Sequence, residues 1–235
     1  MTNYEVVYTS YEVLELNVNG WYGPAMNIHR GAFAGRNFEY YSEDGLHSAF
    51  FAQYETLGAE SKGLYPYIKH FALNDQESNR NSRIMVWANE QAIREIYLKP
   101  FEYTVKNGGA SAVMSSYNYI GPRWAGANSN LLNDVLRDEW GFKGMVLTND
   151  FGNYDYMNAD AAIANGGDIM LSTLGKFGAT VTNTDKATVQ NNMRRASKNI
   201  LYTVVNSNAM YSEDKKKEIL SEVGGEISKE TYFIE

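Results

Sequence analysis

The stretch GFKGMVLTND, residues 141–150, places a glycine-flanked turn ahead of a short apolar run that closes on a carboxylate, Asp150. A brief apolar run bounded by turn residues predicts a strand buried on both faces, as in a parallel sheet. Outward from it, similar runs at Gly20–Met26, Leu64–Phe71, Ala112–Tyr119 and Asp168–Ser172 bring the predicted strands, with Lys143–Asp150, to five. Between them lie helical stretches at Glu43–Glu60, Ile84–Lys106, Asn130–Trp140 and Tyr154–Asn165, with further helices opening and closing the chain. The closing one spans Asp185–Asn206, where Val189, Met193, Ala196, Ile200 and Val204 form an apolar stripe at helical spacing. Strands alternating with helices predict an α/β fold with crossover connections. A full eight-stranded barrel takes about 250 residues, so five strands predict a partial (β/α)8 barrel of the TIM type.

Composition narrows the function classes. The 235 residues carry 21 Lys+Arg against 28 Asp+Glu, a formal charge of −7, which disfavours a binder of nucleic-acid backbones. The absence of cysteine excludes disulfides, zinc–thiolate centres and thiol nucleophiles. No run approaches the roughly 20 apolar residues needed to cross a bilayer, and the amino terminus is not patterned as a secretory signal. A cytoplasmic location without membrane contact is therefore expected. His29, His47 and His70 form no metal-binding spacing, and no glycine-rich phosphate loop occurs, so neither metal nor other cofactor is expected. Aromatic residues make up 14% of the chain, which suits sugar faces as well as ordinary cores.

The predicted strands end in polar or ionisable residues, where (β/α) folds collect their active sites. Asp150 at such an end is suited to act as a nucleophile or a stabiliser of positive charge at an anomeric carbon, or simply to cap the next helix. In YIKHFALNDQESNR, residues 67–80, Lys69 and His70 are adjacent, so both reach one site only if the strand bends or bulges there. They suit sugar hydroxyls, or else Lys69 pairs with a carboxylate and His70 is a core histidine. The loop NIHRGAFAGRNFEYYSED, residues 27–44, gathers Arg30, Arg36, Glu39, Glu43 and Asp44, either as a rigid arginine fork for paired hydroxyls or as a solvated ion-paired loop.

Together, MNIHRGAFAGRNFEYYSED, YIKHFALNDQESNR, WANEQAIREIYLKPFEYTVKNGGASAVMSSYN and LLNDVLRDEWGFKGMVLTNDFG resemble, in order, the catalytic barrel of family-3 glycoside hydrolases, the β-glucosidase group. The likeness runs from about Trp21 to Asn206. It implies that Asp150 is the catalytic nucleophile, that Arg36, Lys69 and His70 hold the hydroxyls of the terminal sugar, and that Tyr117 is the aromatic beside the nucleophile. Asn149-Asp150-Phe151 stands where the family commonly has Ser-Asp-Trp, and Glu43-Asp44-Gly45 where it has Glu-Asp-Pro.

The implied activity is retaining hydrolysis of terminal β-linked sugars, with substrates more like glucose than N-acetylglucosamine. The implied partners are a β-linked glycoside and a separate α/β sandwich domain that supplies the acid/base. A further sugar-binding aspartate of the family would precede Met1, so the barrel is expected to lack its first units and the chain alone to be close to inactive. The alternative is a noncatalytic carbohydrate-binding or scaffold fragment of a larger glycosidase. Residues 1–210 are expected to form the barrel domain and 211–235 a surface helix with a charged tail.

Overall fold

The computed structural model describes residues 10–152, 154–172 and 178–222. Among these, the strands are β1 (Gly20–Trp21), β2 (Tyr65–Phe71), β3 (Met85–Val86), β4 (Ala112–Ser115), β5 (Tyr119–Ile120), β6 (Arg123–Trp124) and β7 (Met145–Leu147). β1, β2, β4 and β7 form a parallel sheet in that order, with Tyr67 beside Ala112 and Ala112 beside Met145. Helices Gly45–Glu60, Lys99–Gly108 and Asn130–Glu139 make the crossovers. This is the architecture of a partial (β/α) barrel.

Alternation along the strands sorts the core into two layers. Ile68, Val113 and Val146 face the crossover helices and pack with Phe101, Leu132, Leu136 and Trp140. Tyr67, Ala112, Met114, Met145 and Leu147 occupy the opposite face. Both faces are buried, which is why these strands read as unbroken apolar runs. Phe71 anchors the first layer, fully buried with its ring centroid 5.1 Å from Phe101 and 5.8 Å from Trp140. Burial of such a side chain contributes about 1.5–3 kcal/mol. At the sheet's other end, a Cβ on Gly144 would lie 1.8 Å from the Ser111 carbonyl oxygen, so only glycine permits the approach of β7 to β4.

Several elements depart from the sequence expectation. The Gly20–Met26 strand is reduced to β1 and a parallel bridge between Ala25 and Lys69, and Asp168–Ser172 to a bridge between Ile169 and Leu147. Of Ala112–Tyr119, the ladder ends at Ser115, while Tyr119 enters a second, three-stranded sheet of β3, β5 and β6. That sheet also claims Met85 and Val86 from the expected helix Ile84–Lys106, whose helical part begins at Glu90, capped by Asn89, and passes through a wide π turn, Ile93–Tyr97. The expected helix Tyr154–Asn165 starts only at Ala159, because Asn158 caps it by accepting from the Ala161 N–H at 3.0 Å. Asp44 caps Gly45–Glu60 in the same way.

The closing helix, Ala187–Val205, buries Ala196, Asn199 and Thr203 rather than the whole apolar stripe, and Met193 is exposed. Its buried polar groups serve the sheet. The Thr203 hydroxyl donates to the Ser111 carbonyl at 2.6 Å and accepts from the Met145 N–H at 3.1 Å. Asn199 donates to Asp168 Oδ1 at 2.9 Å, while Asp168 Oδ2 pairs with Arg137 at 2.6 Å and accepts from the Val146 N–H. Helix Glu213–Ser221 follows, with Ile219 packed on Tyr11 and Leu14. The remainder of the charged tail, 223–235, lies outside the described residues.

Candidate active site

The candidate residues lie at the C-terminal ends of the parallel strands. Asp150 follows the end of β7 and is exposed, Tyr117 follows β4, Lys69 and His70 end β2, and Arg36 sits in the loop after β1. The β2 ladder slips in register between Ile68 and Phe71, the irregularity that two adjacent site residues require. Asn27 holds the bend, donating to the His70 carbonyl at 3.0 Å and accepting from the His70 N–H at 2.9 Å.

A continuous series of contacts links these groups. The turn Asn37–Glu39 brings Glu39 back onto Arg36, whose Nε donates to Glu39 Oε1. Glu39 Oε2 lies 3.5 Å from the Lys69 ammonium. Glu77 lies 3.8 Å from Arg36 and accepts from Arg80 Nε at 2.8 Å. The Arg80 guanidinium sits 4.6 Å from the centre of the Tyr117 ring, a cation–π contact. The Tyr117 hydroxyl donates to the Asp150 carbonyl at 2.8 Å, and the Asp150 N–H donates to Asn149 Oδ1 at 2.8 Å. The backbone that carries the carboxylate is thus held from two sides.

Electrostatics assigns protonation states. His70 is buried, and burial together with Arg36, Lys69 and Arg80 drives its pKa well below the usual histidine range, so the imidazole is neutral. Its Nδ1 lies 3.5 Å from the Tyr40 hydroxyl, which donates to the Asn74 carbonyl at 3.0 Å. Burial lowers Lys69, and Glu39 offsets only part of this. For Arg36 burial acts downward, but the bond to Glu39 together with the charges of Tyr40, Glu39 and Glu77 outweighs it, so the guanidinium stays charged. A neutral ring with a forked cation and an ammonium close by supplies the mixed donors and acceptors that a polyhydroxyl ligand needs.

The simpler roles weighed from sequence fare unequally. Asp150 does not cap the next helix, since Asn158 does. Lys69 does pair with a carboxylate and His70 is buried, yet both belong to the same cluster. Phe151 is fully buried against Trp124, so its ring offers no exposed platform beside the carboxylate. Arg80 and Tyr154 join the site without having been singled out from sequence. The Tyr154 ring stands edge-on to Tyr117 at 5.5 Å, and its hydroxyl accepts from Asn81 at 3.0 Å. The spacing of Arg80 from Glu77 was the available signal for the first; nothing local marked the second. Among the described residues, no cluster of three or more His, Asp or Glu is placed to hold a metal ion, and no helix is long and apolar enough to cross a membrane.

Residues 5–194 match the model of the glycosyl hydrolase family 3 N-terminal domain. The chain belongs to glycoside hydrolase family 3. Among family-3 relatives, beta-glucosidase A of Butyrivibrio fibrisolvens is 44% identical over 144 residues, covering 60% of this chain and 17% of that protein. A beta-glucosidase of Ruminococcus albus is 34% identical over 228 residues, covering 91% of this chain and 24% of its own length. Beta-glucosidase 3B from Thermotoga neapolitana, solved with glycerol, superposes with a TM-score of 0.76 at 33% identity over 94% of this chain and 33% of that one. A beta-glucosidase from Paenibacillus barengoltzii gives a TM-score of 0.79 at 33% identity over 88% of this chain and 24% of that one. The family-3 chain described here spans about a quarter or less of the two curated relatives and a third or less of the two solved chains.

Proposed function

We propose that this chain provides the nucleophile and the sugar-binding face of a retaining β-glycosidase, a β-glucosidase by its relatives, acting on terminal β-linked sugars. The observation that carries the reading is the exposed Asp150 carboxylate, on a backbone fixed by Tyr117 and Asn149 and linked through Tyr117, Arg80 and Glu77 to the Arg36–Glu39–Lys69 cluster. The Asp150 carboxylate attacks the anomeric carbon as the bond to the leaving oxygen breaks, and an acid elsewhere protonates that oxygen. Water then cleaves the glycosyl ester with that same group as base, so configuration is retained. Arg36, Lys69 and neutral His70 hold the ring hydroxyls and Tyr117 borders the reacting centre.

The acid/base is assigned to a separate α/β sandwich domain. Glu39 and Glu77 are both committed to cations, which supports an external proton donor. The same observation favours the second reading, a noncatalytic carbohydrate-binding chain. A dinitrophenyl β-glucoside separates the two, because its leaving group departs without protonation. Release of dinitrophenolate by the chain, accelerated by azide with β-glucosyl azide as product and lost on Asp150→Asn, supports the nucleophile. Sugar binding without any release supports the noncatalytic reading.

A further inference from the structure

A cavity of about 290 Å3 lies on the two segments that flank Arg36 and Glu77, lined by the loop Arg30–Ala34 and by Asp75, Gln76 and Ser78. The two segments are joined by the Glu77 N–H donating to the Ala34 carbonyl at 2.8 Å. Gly35 permits this closeness: it holds φ at +92°, and a Cβ there would lie 2.9 Å from the Glu77 Cβ. Arg36 and Glu77 belong to the nucleophile's cluster, whereas Arg30, Phe33, Asp75, Gln76 and Ser78 line the cavity. The same pair of segments thus serves both.

The lining is chemically specific. Asp75 is 5% exposed, and its Oδ1 accepts from the Ile28 N–H at 2.9 Å while the buried Oδ2 has no hydrogen-bond partner among the described residues. A buried carboxylate oxygen normally has one. Phe33, by contrast, exposes its whole side chain. Arg30 already sets a positive charge near Asp75, which disfavours a cation, and the carboxylate disfavours an anion. A neutral ligand with hydroxyls for Asp75, Gln76 and Ser78 and a carbon-rich face for Phe33 remains. The volume, at the low end of the roughly 300–1,000 Å3 found for small-molecule sites, suits a single ring.

We propose that this cavity is a second sugar-binding site, which holds one pyranose ring between the Asp75 carboxylate and the Phe33 ring. The choice of ligand class rests on the glycosidase reading, while the geometry does not. The ring comes either from a free monosaccharide or from the remote unit of an oligosaccharide.

The test is amide-resolved NMR titration of the isotope-labelled chain, residues 1–235, with D-glucose and separately with cellotriose. Saturable shifts are expected at Gly31, Ala34, Gln76 and Ser78. Phe33→Ala, at a fully exposed position that the fold does not need, should weaken them about tenfold while leaving the responses of Lys69 and Asp150 unchanged. One common curve for the Lys69, Asp150 and cavity amides with cellotriose assigns the remote ring of a chain; a separate curve with glucose assigns free sugar. Silent cavity amides, or a titration that Phe33→Ala leaves unaltered, overturn the proposal. Responding cavity amides with silent Lys69 and Asp150 amides support the second site and count instead against the reading of Asp150.

Discussion

Glu60 ends the first crossover helix and reaches across the barrel floor to Ser111, accepting from its hydroxyl at 2.7 Å and its N–H at 3.2 Å. Burial raises its pKa from 4.5 to about 7, with the two Ser111 bonds opposing only part of the effect. The folded chain therefore holds this proton more tightly than the unfolded chain. The associated stability is complete below about pH 4.5 and is lost as the pH rises through about 7. A displacement of this size corresponds to on the order of 3 kcal/mol, and partial solvent access reduces it to roughly 2. Glu60→Gln keeps an acceptor for Ser111 but cannot ionise. Urea unfolding of both proteins from acid to mildly alkaline pH should give stabilities that converge at low pH and separate by about 2 kcal/mol above neutrality, with the variant more stable. Asp75, raised to about 6 by burial, slopes both curves alike and cancels in their difference. Parallel curves, or a variant destabilised equally at every pH, would refute the reasoning.

Phe71→Ala removes the ring packed between Phe101 and Trp140 and should cost about 3–5 kcal/mol in urea unfolding. Asp168→Ala leaves Arg137 without its buried partner and frees the Val146 N–H and Asn199, for a loss of roughly 3–5 kcal/mol by the same measurement. Glu39→Gln weakens the hold on Arg36 and Lys69, so sugar affinity by calorimetry should fall about tenfold with thermal stability little changed.

The parallel strands were legible because burial on both faces leaves an unbroken apolar run, as in Met145–Leu147. The second sheet was not: β3, β5 and β6 are two residues each, too short to show a period, and Met85 and Val86 were absorbed into the helical pattern that follows. Hydropathy also misplaces the buried line of the closing helix, because Asn199 and Thr203 go inward to satisfy sheet groups rather than to escape water. In the site, residue type and strand-end position pointed to Asp150, Lys69 and His70. Arg80 could not be weighed in the same way, since its place over Tyr117 depends on the path of a loop with no regular structure.

The central claim is that Asp150 forms the glycosyl ester. The direct measurement is to incubate the chain with a dinitrophenyl fluoroglucoside, whose leaving group needs no acid and whose fluorine slows release of the ester, and to map the labelled peptide by mass spectrometry. The account predicts one label on the peptide that contains Asp150, absent from Asp150→Asn. A label on Glu39, Glu77 or Asp155, or one that persists in that variant, would contradict it.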